Sequence, residues 1–426
     1  MTLKRLRPRK IHLDGRLHPD FQGVEVTLRD QLGKYPGGAA VCVYHKGEKV
    51  VDLWGGQRDE DGALWRRDTM SPSFSTTKGV AATLLHIMVD RGLIDYDAPV
   101  SEYWPEFGQA GKEDITVRQV LAHQSGLYHI RQMIDHVDRM LDWEHMIEAI
   151  EQTEPAHVPG TRTGYHGLTF GFLVGEIIQR VTGRKFSDLV QSEIAAPLQL
   201  DGLFIGAPEH EIPRAARLQF PDATRRLSRT SFGQRLEVQA ARLSKVLRAM
   251  GIDSDLTSIF DALAPRGISD FDFGSPETLR VAIPAGNGLF TARSLAKMYA
   301  LLANGGELDG VRLLSDGTVD RAATVKEPTG RHSVIPFDMR WRLGYHAVAT
   351  TRGFPRRAFG HFGFGGSGAW ADPTRRLSVA LIVNSGLGSP FGDIRTARIG
   401  GAALACANAR SPRPGLRRER LSTGVA

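Results

Sequence analysis

Hydrophobic positions early in the chain predict a β-hairpin followed by a buried helix. Apolar residues dominate the runs 39–45 and 49–54, and the Lys46-Gly47 pair between them is typical of a tight turn. In the segment 75–91, apolar side chains cover most of the circumference expected for a helix. Such a helix must be buried, so only its N-terminal end can face a cleft.

The pattern then changes twice along the chain. Residues 95–285 have a mainly helical periodicity with short loops, and mixed structure returns from Gly286. Residues 340–350 and 377–386 are predicted strands on either side of a glycine-rich stretch, and a last helix is predicted near 396–408. We therefore predict an α/β (α+β) fold in which helices flank an antiparallel sheet and an all-helical subdomain is inserted.

The chain of 426 residues exceeds the usual size of one compact core, so we expect two substructures that share a cleft. The domain boundaries that we predict are a basic N-terminal lead at 1–19, an α/β domain at 20–94 and 286–410, a helical subdomain at 95–285, and a basic, flexible tail at 411–426.

A basic insertion is expected inside the helical subdomain, around residues 212–270. Its apolar positions fall on one face of a predicted helix, which indicates packing on its own domain: Leu236, Ala240, Leu243, Leu247 and Met250.

The net charge of +7 does not by itself indicate a nucleic-acid partner. Positive residues are concentrated at the two termini and in the segment 214–248, as expected for solvated tails and one charged helical face. No zinc-finger spacing or aromatic RNA-binding strand accompanies them. We expect no nucleic-acid binding, and weak peripheral contact with an acidic membrane surface stays open. Without an apolar run long enough to span a bilayer, the predicted location is cytoplasmic.

Neither a metal nor a cofactor is predicted. Cys42 and Cys406 lie far apart and are expected to be free thiols, although one bridge between them stays open. The fourteen histidines include no H-E-x-x-H spacing, and no phosphate-binding G-x-x-x-x-G-K-[ST] loop is present.

Ser75 and Lys78 open the predicted buried helix, in the stretch FSTTKGV. Residues three apart on a helix face the same way, which puts the lysine amine within reach of the serine oxygen. A serine needs a neighbouring base to attack, and a buried lysine without a partner would be costly. In the first turn, the Ser75 N–H would also be free to stabilise an oxyanion. The pair is therefore a candidate nucleophile and base.

Further motifs give the chain a resemblance to the serine β-lactamase-like superfamily, which includes class C β-lactamases, DD-peptidases and family VIII carboxylesterases. The resemblance covers residues 20–405 and is carried, in the family's order, by FSTTKGV, RGLIDYDAPVSEYWPEF, DITVRQVLAHQSGL, PGTRTGYHGLTFGFLVGEII and GHFGFGGSGAWADP.

The resemblance implies roles for individual residues. Ser75 would be the acylated nucleophile and Lys78 its partner, while Tyr165 would share protons with the lysine and protonate the leaving group. A Lys–Tyr pair in contact titrates as a unit, so the base is not assigned to one of them. The N–H groups of Ser75 and Phe364 would form the oxyanion hole.

Two positions depart from the family's motifs. Gly167 stands where the second motif of β-lactamases and DD-peptidases ends in an asparagine that helps to bind the substrate amide. His361 stands where the third motif has a lysine that attracts the substrate carboxylate. The substrate-binding residues that we expect are His361, Gly363 and Gly167.

Because these departures remove recognition of a β-lactam without touching the acylating residues, we expect a carboxylesterase that hydrolyses small acyl esters through a serine acyl-enzyme. The alternatives are a β-lactamase or D-amino-acid peptidase, an acyltransferase, and an inactive relative that binds a ligand or partner.

Two other serines have structural interpretations. Ser125 would shape the helical region beside the cleft, and Ser367 would lie in a tight turn because G-x-S-x-G is not met there.

Overall fold

The computed structural model describes residues 11–219, 257–325, 332–335, 338–385 and 393–410. The strands in chain order are β1 (Leu13–Leu17), β2 (Gly38–His45), β3 (Glu48–Gly56), β4 (Ser71–Pro72), β5 (Thr163–Gly164), β6 (Leu203–Phe204), β7 (Leu289–Phe290), β8 (Glu307–Leu308), β9 (Val311–Arg312), β10 (His332–Ser333), β11 (His346–Ala347), β12 (Phe359–Phe362), β13 (Gly368–Asp372) and β14 (Leu377–Val383).

The α-helices among the same residues are α1 (Gln22–Lys34), α2 (Thr77–Asp90), α3 (Val100–Tyr103), α4 (Val117–Leu121), α5 (Ile130–Met133), α6 (Trp143–Gln152), α7 (Thr169–Thr182), α8 (Phe186–Leu189), α9 (Thr257–Leu263), α10 (Pro276–Arg280), α11 (Ala292–Ala303), α12 (Asp316–Ala323) and α13 (Ile394–Arg410). Short 3₁₀ turns occupy Pro19–Phe21, Phe74–Thr76, Pro105–Gly108, Val137–Leu141, Glu209–Arg214 and Phe364–Gly366, and Val190–Ala195 is a π-helical turn.

Seven strands form one antiparallel sheet in the order β1-β3-β2-β14-β13-β12-β11. The predicted hairpin is present, and both residues of its turn, Lys46 and Gly47, have positive φ as a two-residue turn of this kind requires. At the centre of the sheet, β2 from the start of the chain pairs with β14 from its end, with His45 opposite Leu377. The predicted mixed fold with an antiparallel sheet is confirmed.

Side chains of β2 alternate between two hydrophobic layers, as the two-residue period of a strand dictates. Ala40, Cys42 and Tyr44 belong to the layer that contains α2 and α11. Val41 and Val43 belong to the opposite layer, where α1 and α13 pack against each other. Helices therefore cover both faces of the sheet.

Helix α2 joins the sheet to the helical part of the chain. It packs on α7, and its side chains belong to the same continuous core as those of α7 and of the sheet. All of its residues from Thr77 to Met88 are buried. The beginning of α2 therefore lies where the sheet and the helical region meet, which is where the candidate nucleophile is found.

Two local expectations differ from the structure. Residues 13–17 of the expected lead form the edge strand β1, because Leu13 and Leu17 pack against the layer of α1 and α13. The predicted strand 340–350 was wrong for most of its length and is reduced to β11. The chain turns there at Gly344, which has a φ of 76° and lies so close to α2 that a Cβ would be 2.4 Å from Ala82 Cβ.

The expectations for the two cysteines and for the apolar stripe at 236–250 can be compared with the structure only in part. Cys42 is a buried free thiol and Cys406 is a half-buried one. The predicted apolar stripe at 236–250 lies outside the described residues. Across the parts of the chain that the structure describes, every helix is too short or too polar to cross a bilayer.

Candidate active site

The side chains of Ser75, Lys78 and Tyr165 meet at the beginning of α2. Lys78 Nζ lies 2.9 Å from Ser75 Oγ, and the Tyr165 hydroxyl donates a 2.8 Å hydrogen bond to the same oxygen. Lys78 Nζ also lies 5.1 Å from the centre of the Tyr165 ring. The serine oxygen is thus held between an amine and a phenol, although Tyr165 is 90 residues away in sequence.

Lys78 is fully buried, and two backbone carbonyls fix its amine. Its Nζ donates to the carbonyl oxygens of Gly167 at 2.6 Å and of Ala285 at 3.0 Å. Burial lowers the pKa of Lys78 well below its ordinary value because the charged form loses its hydration. A neutral amine can give its two N–H groups to these carbonyls and direct its lone pair at the Ser75 hydroxyl.

Tyr165 is buried among aromatic rings. Its ring stacks on Trp341 with centroids 5.5 Å apart and an interplanar angle of 14°, and His123 contacts it edge-on at 5.1 Å. Burial raises the pKa of Tyr165, since a phenolate would be poorly solvated there. The tyrosine is therefore held as a neutral donor to the serine oxygen.

Ser75 lies on the 3₁₀ turn that precedes α2, two residues before the first α-helical residue, Thr77. Within the described residues, the N–H groups of Ser75 and Phe364 have no hydrogen-bond acceptor. Gly363 brings the two turns together, because a Cβ at this position would lie 2.2 Å from the carbonyl oxygen of Ser73. Both N–H groups are thus available beside Ser75 for an oxyanion.

The loop after β12 is fixed from several sides. Thr76 Oγ1 donates to the carbonyl of Ser367 at 3.2 Å, and the N–H of Val383 donates to Ser367 Oγ at 3.1 Å. The buried Arg395 of α13 donates to the carbonyl of Gly365 at 2.5 Å. Ser367 therefore supports the turn that positions Phe364, in line with its predicted place in a tight turn.

His361 is buried and neutral. Its Nδ1–H donates to the carbonyl of Phe362 at 3.0 Å, while its Nε2 is buried without a hydrogen-bond partner in the described residues. Burial, with further contributions from His346 and Lys78, lowers the pKa of His361 well below its ordinary value. The third motif consequently supplies no cation to the site.

Gly167 lies against helix α9. Its carbonyl accepts the hydrogen bond from Lys78, so its backbone is part of the site. A Cβ on Gly167 would lie 2.2 Å from Leu263 Cδ2 and 2.8 Å from the carbonyl oxygen of Ala262. The space beside the second motif is therefore filled by Leu263, and a longer side chain at 167 does not fit without a shift.

A family model described as Beta-lactamase matches residues 28–404, which is most of the chain. The chain belongs to the beta-lactamase family. A curated relative, "Esterase/beta-lactamase LipL" of Mycobacterium tuberculosis (strain ATCC 25618 / H37Rv), is 38% identical over 365 residues, which are 83% of this chain and 78% of the relative.

This member of the beta-lactamase family is similar in structure to a carboxylesterase and to a penicillin-binding protein homologue. A family VIII carboxylesterase is 32% identical with a TM-score of 0.79, over 93% of this chain and 100% of that one. A penicillin-binding protein homologue from Caulobacter crescentus is also 32% identical, with a TM-score of 0.76 and the same coverage. Together these similarities support a serine hydrolase of this fold.

Sequence reasoning missed a pair of buried histidines behind Tyr165. His166 donates from Nδ1 to the carbonyl of Gly164 at 2.7 Å, and its Nε2 accepts from Ser125 Oγ at 2.6 Å. The N–H of His166 donates to Nδ1 of His123 at 3.2 Å. Two motifs that belong to the same cleft, HQSGL and GYHG, each contain a histidine. This is the feature of the sequence that could have revealed the pair.

Metal ligands do not converge in the described residues, where no group of three or more His, Cys, Asp or Glu side chains could hold an ion.

Proposed function

We propose that this protein is a serine carboxylesterase that hydrolyses small acyl esters through an acyl-enzyme on Ser75. The observation that supports this most directly is the position of Ser75 Oγ, 2.9 Å from the buried amine of Lys78 and 2.8 Å from the hydroxyl of Tyr165. The lowered pKa of Lys78 and the raised pKa of Tyr165 both favour a neutral amine beside a neutral phenol.

In this protonation state, Lys78 is the base and Tyr165 the acid. The Ser75 hydroxyl gives its proton to the lone pair of Lys78 as its oxygen attacks the acyl carbon. The resulting oxyanion accepts hydrogen bonds from the N–H groups of Ser75 and Phe364. Tyr165 gives its proton to the departing alkoxide and is reprotonated by the Lys78 ammonium. The neutral amine then takes a proton from the attacking water, and this proton returns to Ser75 Oγ as the acyl-enzyme breaks down.

Ester substrates are favoured by the two departures from the family's motifs. Leu263 fills the space beside Gly167, and the third-motif residue His361 is neutral, so neither position offers a side chain for an amide or a carboxylate. An alkoxide also leaves more readily than an amine and needs less assistance. The names of the LipL relative and of the carboxylesterase structure agree with this preference.

The decisive experiment replaces the nucleophile. We expect Ser75→Ala to lower hydrolysis of p-nitrophenyl butyrate by at least about 10⁴-fold, because the covalent step is lost. Ser269→Ala, at an exposed serine, is the matched control and should keep wild-type activity. A fluorophosphonate probe should label the wild type and the control but not Ser75→Ala. Retained hydrolysis in Ser75→Ala would refute the proposal.

β-Lactam hydrolysis is a second candidate, because the name of the LipL relative includes both activities. A chromogenic cephalosporin assayed with the same three proteins measures it. We expect Ser75-dependent turnover far below that of the ester, and the opposite order would make the β-lactam the better substrate class.

A further inference from the structure

Four phenylalanine rings form a continuous surface at the mouth of the site. The Phe74 ring contacts the Phe364 ring at a centroid distance of 5.5 Å and 88°, and the Phe273 ring at 5.2 Å. The Phe271 ring meets Phe273 edge-on at 4.9 Å. We call Phe74, Phe271, Phe273 and Phe364 the phenylalanine wall.

All four side chains are only half-buried, although they come from three separate segments of the chain. Phenyl rings that gather while only partly covered leave some apolar surface accessible, and accessible apolar surface beside a reactive group is a candidate binding surface.

The wall adjoins the reacting atoms. Phe74 immediately precedes Ser75 and has a φ of 46°, a left-handed conformation that is strained for a phenylalanine. Phe364 is also the residue proposed to provide the second oxyanion N–H. Phe273 lies 3.3 Å from where a Cβ on Gly286 would be, one residue after the Ala285 carbonyl that holds Lys78.

Tyr165 belongs to a different group of rings. Its partners are His123, Trp341 and His361, and among the described ring contacts none joins this group to the phenylalanine wall. Since Tyr165 is the proposed acid for the leaving alkoxide, the alcohol of the ester belongs on its side. The acyl group then belongs on the side of the wall.

We infer that the phenylalanine wall binds the acyl group of the ester and selects an aryl-bearing acyl group, such as phenylacetyl, over a saturated one of the same size. This inference rests on the proposed esterase function. Edge-to-face contact with two or more phenyl rings should favour phenylacetyl over cyclohexylacetyl by about three- to tenfold in kcat/KM.

The test compares ethyl phenylacetate with ethyl cyclohexylacetate, with hydrolysis followed by acid release. We expect the phenylacetyl preference in the wild type and its loss in Phe273→Leu, with a smaller loss in Phe271→Leu, one ring further along the wall. Phe354→Leu, at a phenylalanine that is 63% exposed elsewhere on the surface, should keep the preference. Hydrolysis of ethyl acetate should change less than about twofold in Phe354→Leu, and in Phe273→Leu and Phe271→Leu it should fall less than hydrolysis of ethyl phenylacetate, because an acetyl group makes fewer contacts with these rings.

In a second pair of esters, the phenyl or cyclohexyl ring is part of the alcohol instead of the acyl group. Benzyl acetate and cyclohexylmethyl acetate should show no phenyl preference, and a preference here instead would overturn the assignment of the wall to the acyl side. Equal rates for both acyl rings, with ethyl acetate still hydrolysed through Ser75, would overturn the inference and leave the esterase proposal intact.

Binding to the Ser75→Ala variant gives a readout that does not depend on turnover. Calorimetric titration with ethyl phenylacetate and ethyl cyclohexylacetate should show the same three- to tenfold preference. If no ester is hydrolysed by the wild type, the esterase proposal fails, and this titration still decides whether the wall selects an aryl group.

Discussion

The acylating centre and the substrate-recognition positions of this site are built in contrasting ways. Around Ser75, the side chains of Ser75, Lys78 and Tyr165 are joined by hydrogen bonds, and Lys78 alone contacts the serine and two carbonyls. At the recognition positions, Gly167 has no side chain, and His361 has a buried nitrogen without a partner in the described residues. The chemistry of attack is therefore specified by polar contacts, while the surroundings are specified mainly by shape and apolar surface.

The acylating centre is the part of the site that this chain shares with its family, and the expected recognition positions are the part that distinguishes it. A buried lysine is stable only where its hydrogen bonds are satisfied, so the acylating centre tolerates little change. A position filled by Leu263 or bordered by phenyl rings tolerates other apolar groups at modest cost. Variants at the two kinds of position should differ in the size and the type of their effects.

After the loss of the nucleophile itself, the largest effect is expected at Lys78. Lys78→Met should lower kcat/KM for p-nitrophenyl butyrate by about 10²- to 10⁴-fold, because Ser75 loses its base. In the wild type, kcat/KM should fall as the pH drops through the lowered pKa of Lys78, since a protonated amine cannot accept the serine proton. A pH profile of kcat/KM measures both effects.

Tyr165→Phe is the matched comparison for that profile. It removes the acid but keeps Lys78, so activity should drop while the acidic limb of the profile persists. If the limb disappears in Tyr165→Phe and persists in Lys78→Met, Tyr165 is the base and our assignment is reversed.

An intermediate effect is expected at Gly167. Gly167→Asn should lower the free energy of unfolding by about 1–3 kcal/mol, because its Cβ would meet Leu263 Cδ2 at 2.2 Å. Urea denaturation measures the loss.

Leu263→Ala provides the control for this steric explanation. The double variant Gly167→Asn/Leu263→Ala should be more stable than the sum of the two single changes predicts, because the space left by leucine accommodates the asparagine. Additive losses would show that the packing of Leu263 is not what excludes a side chain at 167.

A separate effect on stability, summed over several residues, concerns the buried histidines near the site. Burial lowers the pKa of His166 to about 3 and of His346 to about 4, and it lowers the pKa values of His123 and His361 well below their ordinary value. Below the ordinary histidine pKa of about 6.5, the unfolded chain binds protons that the folded protein does not. Stability should therefore fall as the pH drops from about 6.5 to 4.5, by up to about 1.4 kcal/mol per pH unit for each histidine.

Urea denaturation at several pH values between 7 and 4.5 measures this slope. Carboxylates with lowered pKa values contribute mainly below about pH 4.5, whereas burial also lowers the pKa values of Lys78, His45 and His86, and these groups add to the slope in the chosen range. A free energy of unfolding that stays constant over this range would contradict the neutral, buried state of these side chains.

The central pair of the site could be predicted from the sequence because its spacing is local. Ser75 and Lys78 are three residues apart, and a helical turn brings them together whatever the rest of the fold does. The carbonyls that hold Lys78 belong to Gly167 and Ala285, 89 and 207 residues away, and only the folded chain brings them to the amine. The motif containing Tyr165 was found through the family resemblance and not through any local rule.

Shape-dependent features could not be predicted in this way. The apolar pattern at 340–350 indicates a strand, but the close approach of Gly344 to Ala82 on α2 forces a turn. The packing of Leu263 against Gly167 and the gathering of Phe74 with Phe273 join segments whose separate patterns contain no sign of each other. Such contacts depend on tertiary packing, which outweighs local preference.

The pairing of β2 with β14 also has a consequence for biosynthesis. These central strands are separated by roughly 330 residues, so the sheet cannot be completed until β14 has left the ribosome. Until then, β2 and β3 exist as a hairpin with an open hydrogen-bonding edge, the kind of edge that recruits other strands. The nascent chain thus needs protection from aggregation while the residues between the two strands are synthesised, and a truncation before Leu377 leaves the sheet without its central partner.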